Sequence, residues 1–557
     1  MHRLALSAFV VFLAVAPARA DGPAYADRWV YCPQNLLVDK NIDDLIRLME
    51  RAGKAGYTGV VLADYKFNIL GRMPDRYFQN VDRVKKAAAG HKLELIPCVF
   101  PIGYSDGLLT HDPNLAEGLP VKDAPFVVKG KELIPAGEPV RLVNGGFEDA
   151  KGDKLAGFGL QDGPGKFTFV DREVAHGGKQ SIRMQDAGAN SRVSQRVKVR
   201  PWAAYRLSCW IKTKDFNSGG FKLLALGDSG RQLTFHEGRL KRDQDWTQID
   251  VVFNSLGESE VAVYVGAWGG LKGRLWIDDF ELAELGLVNV VRRPGCPLTI
   301  TSADGKTAYE ENKDFLPVKD EETRKAVARG EWSFAHAGPT IKLTAGTRIK
   351  DGDRVRVSWY HPVRVHGEQM TCSLSEPRMF ELLADQAKRV NELFKPKTFF
   401  MQHDEIRVAG WDKLAETSGK TPGEFLADNA RKCVQILKAV NPTARVVVWS
   451  DMFDPHHNAV DNYYLVNGSF KGSWEGLPKD VVIANWNGDK AAESLKWFAD
   501  RGHSQVIAGY YDGGNLDNFR QWDAAAKDVK GVRGFMYTTW QHDYKQLDEY
   551  AKALLRK

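Results

Sequence analysis

The sequence is short of cysteine. Its six, Cys32, Cys98, Cys209, Cys296, Cys372 and Cys433, stand singly in 557 residues with no CxxC spacing. That excludes a zinc site or dithiol redox motif written in the spacing, and a chain of this size does not need disulfides, so buried thiols are expected. A charge excess is also lacking: the net charge is +6 on 77 basic and 71 acidic residues. No basic tract with interleaved aromatics tracks a phosphate backbone, so no nucleic-acid partner is expected. Beyond the first twenty residues no apolar run approaches the roughly 20 needed for a membrane span. With 43% hydrophobic and 27% charged residues the composition is that of a globular protein. At this length one core no longer suffices, and two to four domains are expected.

Residues 1–20 combine a basic start (His2, Arg3), an apolar core from Leu4 to Val15 and the small residues Ala18 and Ala20 flanking Arg19. This is the pattern of a cleaved secretory signal, which predicts a secreted or periplasmic protein.

Apolar strands and amphipathic helices then alternate. The spacing predicts strands at 28–32, 59–63 and 93–100 and helices at 42–53 and 81–89, the rhythm of a parallel α/β sheet. From about Val140 the pattern changes to short alternating segments and Gly-rich turns, an all-β module. Its opening, Leu142-Val143-Asn144-Gly145-Gly146-Phe147-Glu148, and its closing, Leu275-Trp276-Ile277-Asp278-Asp279-Phe280-Glu281-Leu282, resemble the two ends of carbohydrate-binding modules with the galactose-binding-like jelly roll. The resemblance implies a structural calcium near the opening strand, with Glu148 and Asp279 as its candidate ligands. Trp202, Trp210, Trp246, Trp268 and Trp276 read as core more than as a sugar platform.

The α/β rhythm resumes with a helix at 376–394, for which Ser373 and Ser375 are candidate N-caps. Strands follow at 398–401, 445–449, 481–484, 505–508 and 534–538. Three strands before the insertion and five after it make one (β/α)8 TIM barrel, interrupted after its third strand by jelly-roll and sandwich modules. The boundaries read as a signal at 1–20, barrel at 21–135, jelly roll at 138–285, a small β-rich module at 286–362 and barrel again at 370–557.

The late strands end alike: His403-Asp404-Glu405, Trp449 with Asp451, Trp486, Tyr510-Tyr511-Asp512, and Trp540 with Asp543. A barrel presents catalytic groups at the C-terminal ends of its strands, and aromatic faces beside carboxylates describe a sugar pocket. The expected partner is an oligo- or polysaccharide. Asp454, His456 and His457 read as a loop touching substrate more than as a metal site.

The run from Ser373 through Asp404-Glu405 to Trp411, with Trp449-Ser450-Asp451, Trp486 and Tyr510-Tyr511-Asp512, resembles family 20 glycoside hydrolases, the β-N-acetylhexosaminidases. It departs from them where Phe400 stands at the family's His, Gln402-His403 at its glycines, and Trp540-Gln541-His542 at its Trp-x-Glu. The resemblance implies catalysis without a cofactor. Glu405 protonates the glycosidic oxygen, and Asp404 orients a 2-acetamido group that attacks the anomeric carbon. It also implies His403, Trp449, Asp451, Trp486, Tyr510, Tyr511, Asp512, Trp540 and Asp543 as substrate-binding residues. Two alternatives stand beside it: Glu405 as acid/base with Asp512 as enzymic nucleophile, and a secreted scaffold that binds glycans without cleaving them.

Overall fold

The computed structural model describes residues 25–555 apart from 235, 236 and 368. The expected signal segment, 1–20, lies outside the described residues. Eight parallel strands close a barrel in chain order: β1 (Asp27–Pro33), β2 (Gly59–Ala63), β3 (Glu94–Val99), β4 (Thr398–Met401), β5 (Arg445–Trp449), β6 (Val482–Asn485), β7 (Gln505–Tyr510) and β8 (Val532–Thr538). β8 pairs back onto β1, with Phe535 opposite Arg28. Helices lie between most of them: α1 (Asp39–Ala55), α2 (Asp75–Gly90), α3 (Pro377–Phe394), α4 (Pro422–Val440), α5 (Ala491–Asp500) and α6 (Asp517–Ala526), with α7 (Leu547–Leu555) closing the chain. Among the described residues no helix is long and apolar enough to cross a membrane.

Strand periodicity builds two apolar layers. One side chain in two points inward, so Trp29, Tyr31, Cys98, Phe400, Val447, Trp449 and Met536 fill the barrel. The others face the helices, where α1 turns Ile42, Leu45, Met49 and Ala52 toward them. Helix ends follow local chemistry. Thr421 and Glu424 form a capping box ahead of Pro422 on α4. α3 starts at Pro377 without a side-chain cap, its N-cap being Glu376, so neither Ser373 nor Ser375 holds the role expected of it. All six cysteines are buried free thiols.

The insertion between β3 and α3 is nested. Strands Leu119–Lys129 and Glu132–Pro135, counted in the sequence with the first part of the barrel, instead pair with Arg354–His361 and Ile341–Lys342 in a six-stranded sheet that also holds Thr299–Ser302 and Ala308–Tyr309. The small β-rich module is thus built from both sides of the jelly roll. Long-range pairing of that kind leaves no local signature in sequence. The jelly roll itself is two five-stranded antiparallel sheets over a shared core. Trp276 is buried there and its Nε1 donates to Asp171 at 2.9 Å. Trp202 packs on Trp411 beyond β4, at 6.2 Å between ring centroids.

A buried ionic group pins the modules to the barrel. Arg293 lies between Asp412 at 2.8 Å and Glu117 at 3.8 Å. With Glu376 at 3.9 Å, one cation serves three carboxylates; Asp412 is the nearest, and burial beside Asp412 pushes Glu117 up to about 8.

Candidate active site

A cavity of about 820 Å³ opens at the C-terminal ends of the barrel strands, within the usual range for a small-molecule site. Both Asp404 and Glu405 line it, together with Trp449, Trp486, Tyr511 and Trp540. Alternation explains part of this. Phe400 points into the barrel, so Gln402 and Asp404 follow it inward and both line the cavity, while His403 turns outward. Glu405 reaches the same cavity because its backbone is left-handed, with φ 50°, which brings two successive side chains to one side. A non-glycine residue held there is a strained position of the kind found at functional sites. The chain after β3 presses on this turn: a Cβ on Gly103 would lie 2.1 Å from the carbonyl oxygen of Asp404, so only glycine fits.

The two carboxyls sit in different fields. Asp404 is pushed well above the usual carboxylate range, first by removal from water and then by the negative charges of Asp451 and Glu405. Glu405 is held by a cation: Arg407 Nη2 stands 2.6 Å from Oε1, and the Tyr104 hydroxyl donates to Oε2. Arg407 is itself fixed, only 2% exposed, donating to Gln369 Oε1 at 2.6 Å and stacking on Tyr464. Asp451 accepts the Glu405 N–H at 2.8 Å and the Trp486 indole N–H at 3.3 Å. Burial raises its carboxyl too. It therefore props the turn and one wall from behind the cavity.

The aromatic residues form a box. Tyr31 meets Trp449 and Trp540 edge-on at 5.8 and 5.0 Å, Trp449 lies 6.2 Å from Trp540, and Tyr511 stacks on Trp486 at 5.7 Å. Trp540 is 44% exposed, the open lip of the box, whereas Trp449 is 1% exposed and belongs to the barrel core.

Besides Asp451, fully buried behind the wall, four expected substrate contacts are placed elsewhere. His403 is buried against Asn429 of α4 at 3.0 Å, and desolvation pushes its imidazole down to about 4. Tyr510, inward by strand alternation after Val506 and Ala508, is turned out by its φ of 69° onto Tyr537 and donates to Asp543 at 2.9 Å. Tyr511 takes the inward place. Asp512 accepts the Trp540 N–H at 2.8 Å and the Thr539 hydroxyl, fixing the β8 loop, and is not among the residues lining the cavity. Asp543 accepts from Tyr510 and from the Lys545 N–H. His457 packs on Trp486 and His456 on Trp497.

Other lining residues escaped the sequence reading. Tyr31 and Asp64 end early strands, while Tyr104 and His366 come from the two ends of the insertion. Asp64 accepts the Leu36 N–H and the Tyr77 hydroxyl, both at 3.0 Å, which fixes the β2 side of the cavity.

The expected calcium ligands do converge, but on N–H donors. Glu148 Oε1 accepts the Lys179 and Gln180 N–H groups at 2.8 and 3.3 Å, and Asp279 is paired with His176 Nδ1 at 2.6 Å. Calcium takes six to eight oxygens. Here the two carboxylates are already engaged, and among the described residues no group of three or more His, Cys, Asp or Glu is placed to hold a metal.

No family model matches the chain, and no curated protein does. Among solved structures, a CBM61 carbohydrate-binding module in complex with β-1,4-galactotriose shares 21% identity over 26% of this chain and 97% of its own, with a TM-score of 0.20. The tandem CBM22 domains of Paenibacillus barcinonensis Xyn10C share 14% identity over 43% of this chain and 100% of theirs, with a TM-score of 0.22. A rhamnosidase from Novosphingobium sp. PP1Y shares 10% identity over 93% of this chain, which spans 55% of that longer one, with a TM-score of 0.34. At these levels the similarities assign the chain to no family.

Proposed function

We propose that the protein is an exported glycoside hydrolase acting on N-acetylhexosamine-containing glycans, and we read its barrel as a (β/α)8 TIM barrel carrying a carbohydrate-binding-type jelly roll. One observation carries the reading: two adjacent carboxyls in unlike electrostatic environments share a cavity walled by aromatic rings. Pyranose C–H faces pack on such rings, and a glycosidic bond needs one carboxyl as acid and a second as carboxylate.

The division of labour follows the fields. Asp404, kept protonated by desolvation and by the charges of Asp451 and Glu405, holds the proton that the glycosidic oxygen requires. Glu405, anchored as a carboxylate by Arg407 and Tyr104, accepts the N–H of a 2-acetamido group. The acetamido oxygen then attacks the anomeric carbon, and the bond to the leaving oxygen breaks as Asp404 transfers its proton. Water opens the resulting oxazolinium ion. This reverses the roles implied by the family resemblance, because Arg407 pairs directly with Glu405, whereas among the described residues no cation pairs with Asp404.

A leaving-group series tests the assignment. Loss of the acid should cost about 10²–10⁴-fold on poor leaving groups and far less on dinitrophenol. Asp404→Asn is expected to show that dependence, and Glu405→Gln to lose activity evenly across the series. The opposite pattern would return the acid role to Glu405, and full activity in both variants would remove the pair from catalysis.

A further inference from the structure

A second cleft, of about 870 Å³, lies between the jelly-roll strand Phe221–Gly227 with the turn after it and the loop after β5. Its walls are unlike. The jelly roll supplies Lys222, Arg231 and Gln232, and the barrel supplies Tyr463 and Tyr464. His366 lines both this cleft and the catalytic cavity, so the two are neighbours on either side of it.

Three residues along the cleft, His366, Asn462 and Tyr464, have left-handed backbone with φ of 44°, 53° and 48°. Strain of this kind persists only where surrounding structure holds it, and it gathers at binding sites. The cleft is also wired to the carboxyl pair: the Tyr464 ring lies under Arg407, 5.0 Å from ring centroid to guanidinium carbon, and the same guanidinium holds Glu405. Asp461, the acidic group among the described lining residues, is taken up by Lys471 at 2.5 Å. The cleft therefore presents the Tyr463 and Tyr464 rings on one side and, on the other, Arg231 and Gln232, whose Nε2 also donates to the Thr234 carbonyl at 2.6 Å. A sugar ring demands that pairing, with C–H faces for the tyrosines and hydroxyls for the donors.

We propose that this cleft binds further sugar units of a polymeric substrate, so that the jelly roll and the barrel form one extended groove and the enzyme selects chains over single sugars. The inference rests on the glycosidase reading of the barrel cavity. It assigns the jelly roll a contact with the same chain that is cleaved, rather than a separate tethering site.

Calorimetric titration of the full chain, in a Glu405→Gln background so that glycan stays intact, tests it with the β-1,4-linked N-acetylglucosamine dimer and hexamer. The hexamer is expected to bind at least tenfold more tightly than the dimer, and Arg231→Ala/Gln232→Ala to erase that advantage without weakening the dimer. Equal affinity for the two lengths, with both weakened by Trp540→Ala, would overturn the cleft and leave the barrel reading standing. A length advantage lost in the double variant but insensitive to Trp540→Ala would uphold the cleft and overturn the barrel reading. Binding of neither oligomer would overturn both.

Discussion

Replacing Trp540 by alanine separates binding from stability more cleanly than any other change to the cavity. A tryptophan offers about 150–250 Å² of surface. With 44% of Trp540 exposed at the lip of the box, about 100 Å² remains for a sugar to cover, worth about 2.5 kcal/mol at ~25 cal/mol per Å². The expected loss is about 50- to 100-fold in kcat/KM on a nitrophenyl N-acetylglucosaminide. Because its aromatic neighbours lie edge-on or tilted at 5.0–6.2 Å between ring centroids, the melting temperature should barely move. Trp449, 1% exposed within the barrel, should behave oppositely: Trp449→Ala costs about 3–5 kcal/mol of stability and reports on packing. Steady-state kinetics and thermal melts on both variants are the assay. A folded Trp540→Ala protein with unchanged kcat/KM would refute the stacking argument.

Other changes address the charged groups. Arg407→Met leaves Glu405 without its cation in a largely buried site and should cost about 3–5 kcal/mol in denaturant unfolding; a loss below 1 kcal/mol would mean the pair is solvated. Glu117 has a folded pKa raised to about 8. Its contribution is therefore complete below its unfolded value near 4.3 and lost as pH rises through about 8. Melting temperature should fall between pH 5 and 9 in the parent and fall less in Glu117→Gln, and parallel curves would contradict the assignment. Because Glu148 and Asp279 are already satisfied by N–H donors, chelator or added calcium should leave the melting temperature unchanged, and a rise of several degrees with calcium would restore a metal there.

Legibility in the sequence followed the range of the interactions involved. The strands and the C-terminal position of Asp404, Trp449 and Trp486 are local facts, fixed by an apolar run and its period of two. His403 could have been excluded by the same rule, since Phe400 inward puts 403 outward. Tyr510 and Glu405 could not, because a left-handed residue at a strand end overrides alternation, and no neighbour in sequence announces it. Arg407 stood two residues past the acidic pair, and nothing local said that it would fold back on Glu405. Tyr104, His366 and Gln369 are brought to the site by an insertion of more than 250 residues, and only the folded chain juxtaposes them.

The central claim is that the carboxyl pair cleaves acetamido sugars with the substrate as nucleophile. Release of nitrophenol from N-acetylglucosaminide, N-acetylgalactosaminide, glucoside and galactoside, with an acetamido-oxazoline mimic as inhibitor, tests it most directly. The account predicts cleavage confined to the acetamido sugars, blocked by the mimic, lost in Glu405→Gln and reduced less in Asp404→Asn, because nitrophenol needs little help from the acid. Cleavage of the plain glycosides, indifferent to the mimic, would contradict it.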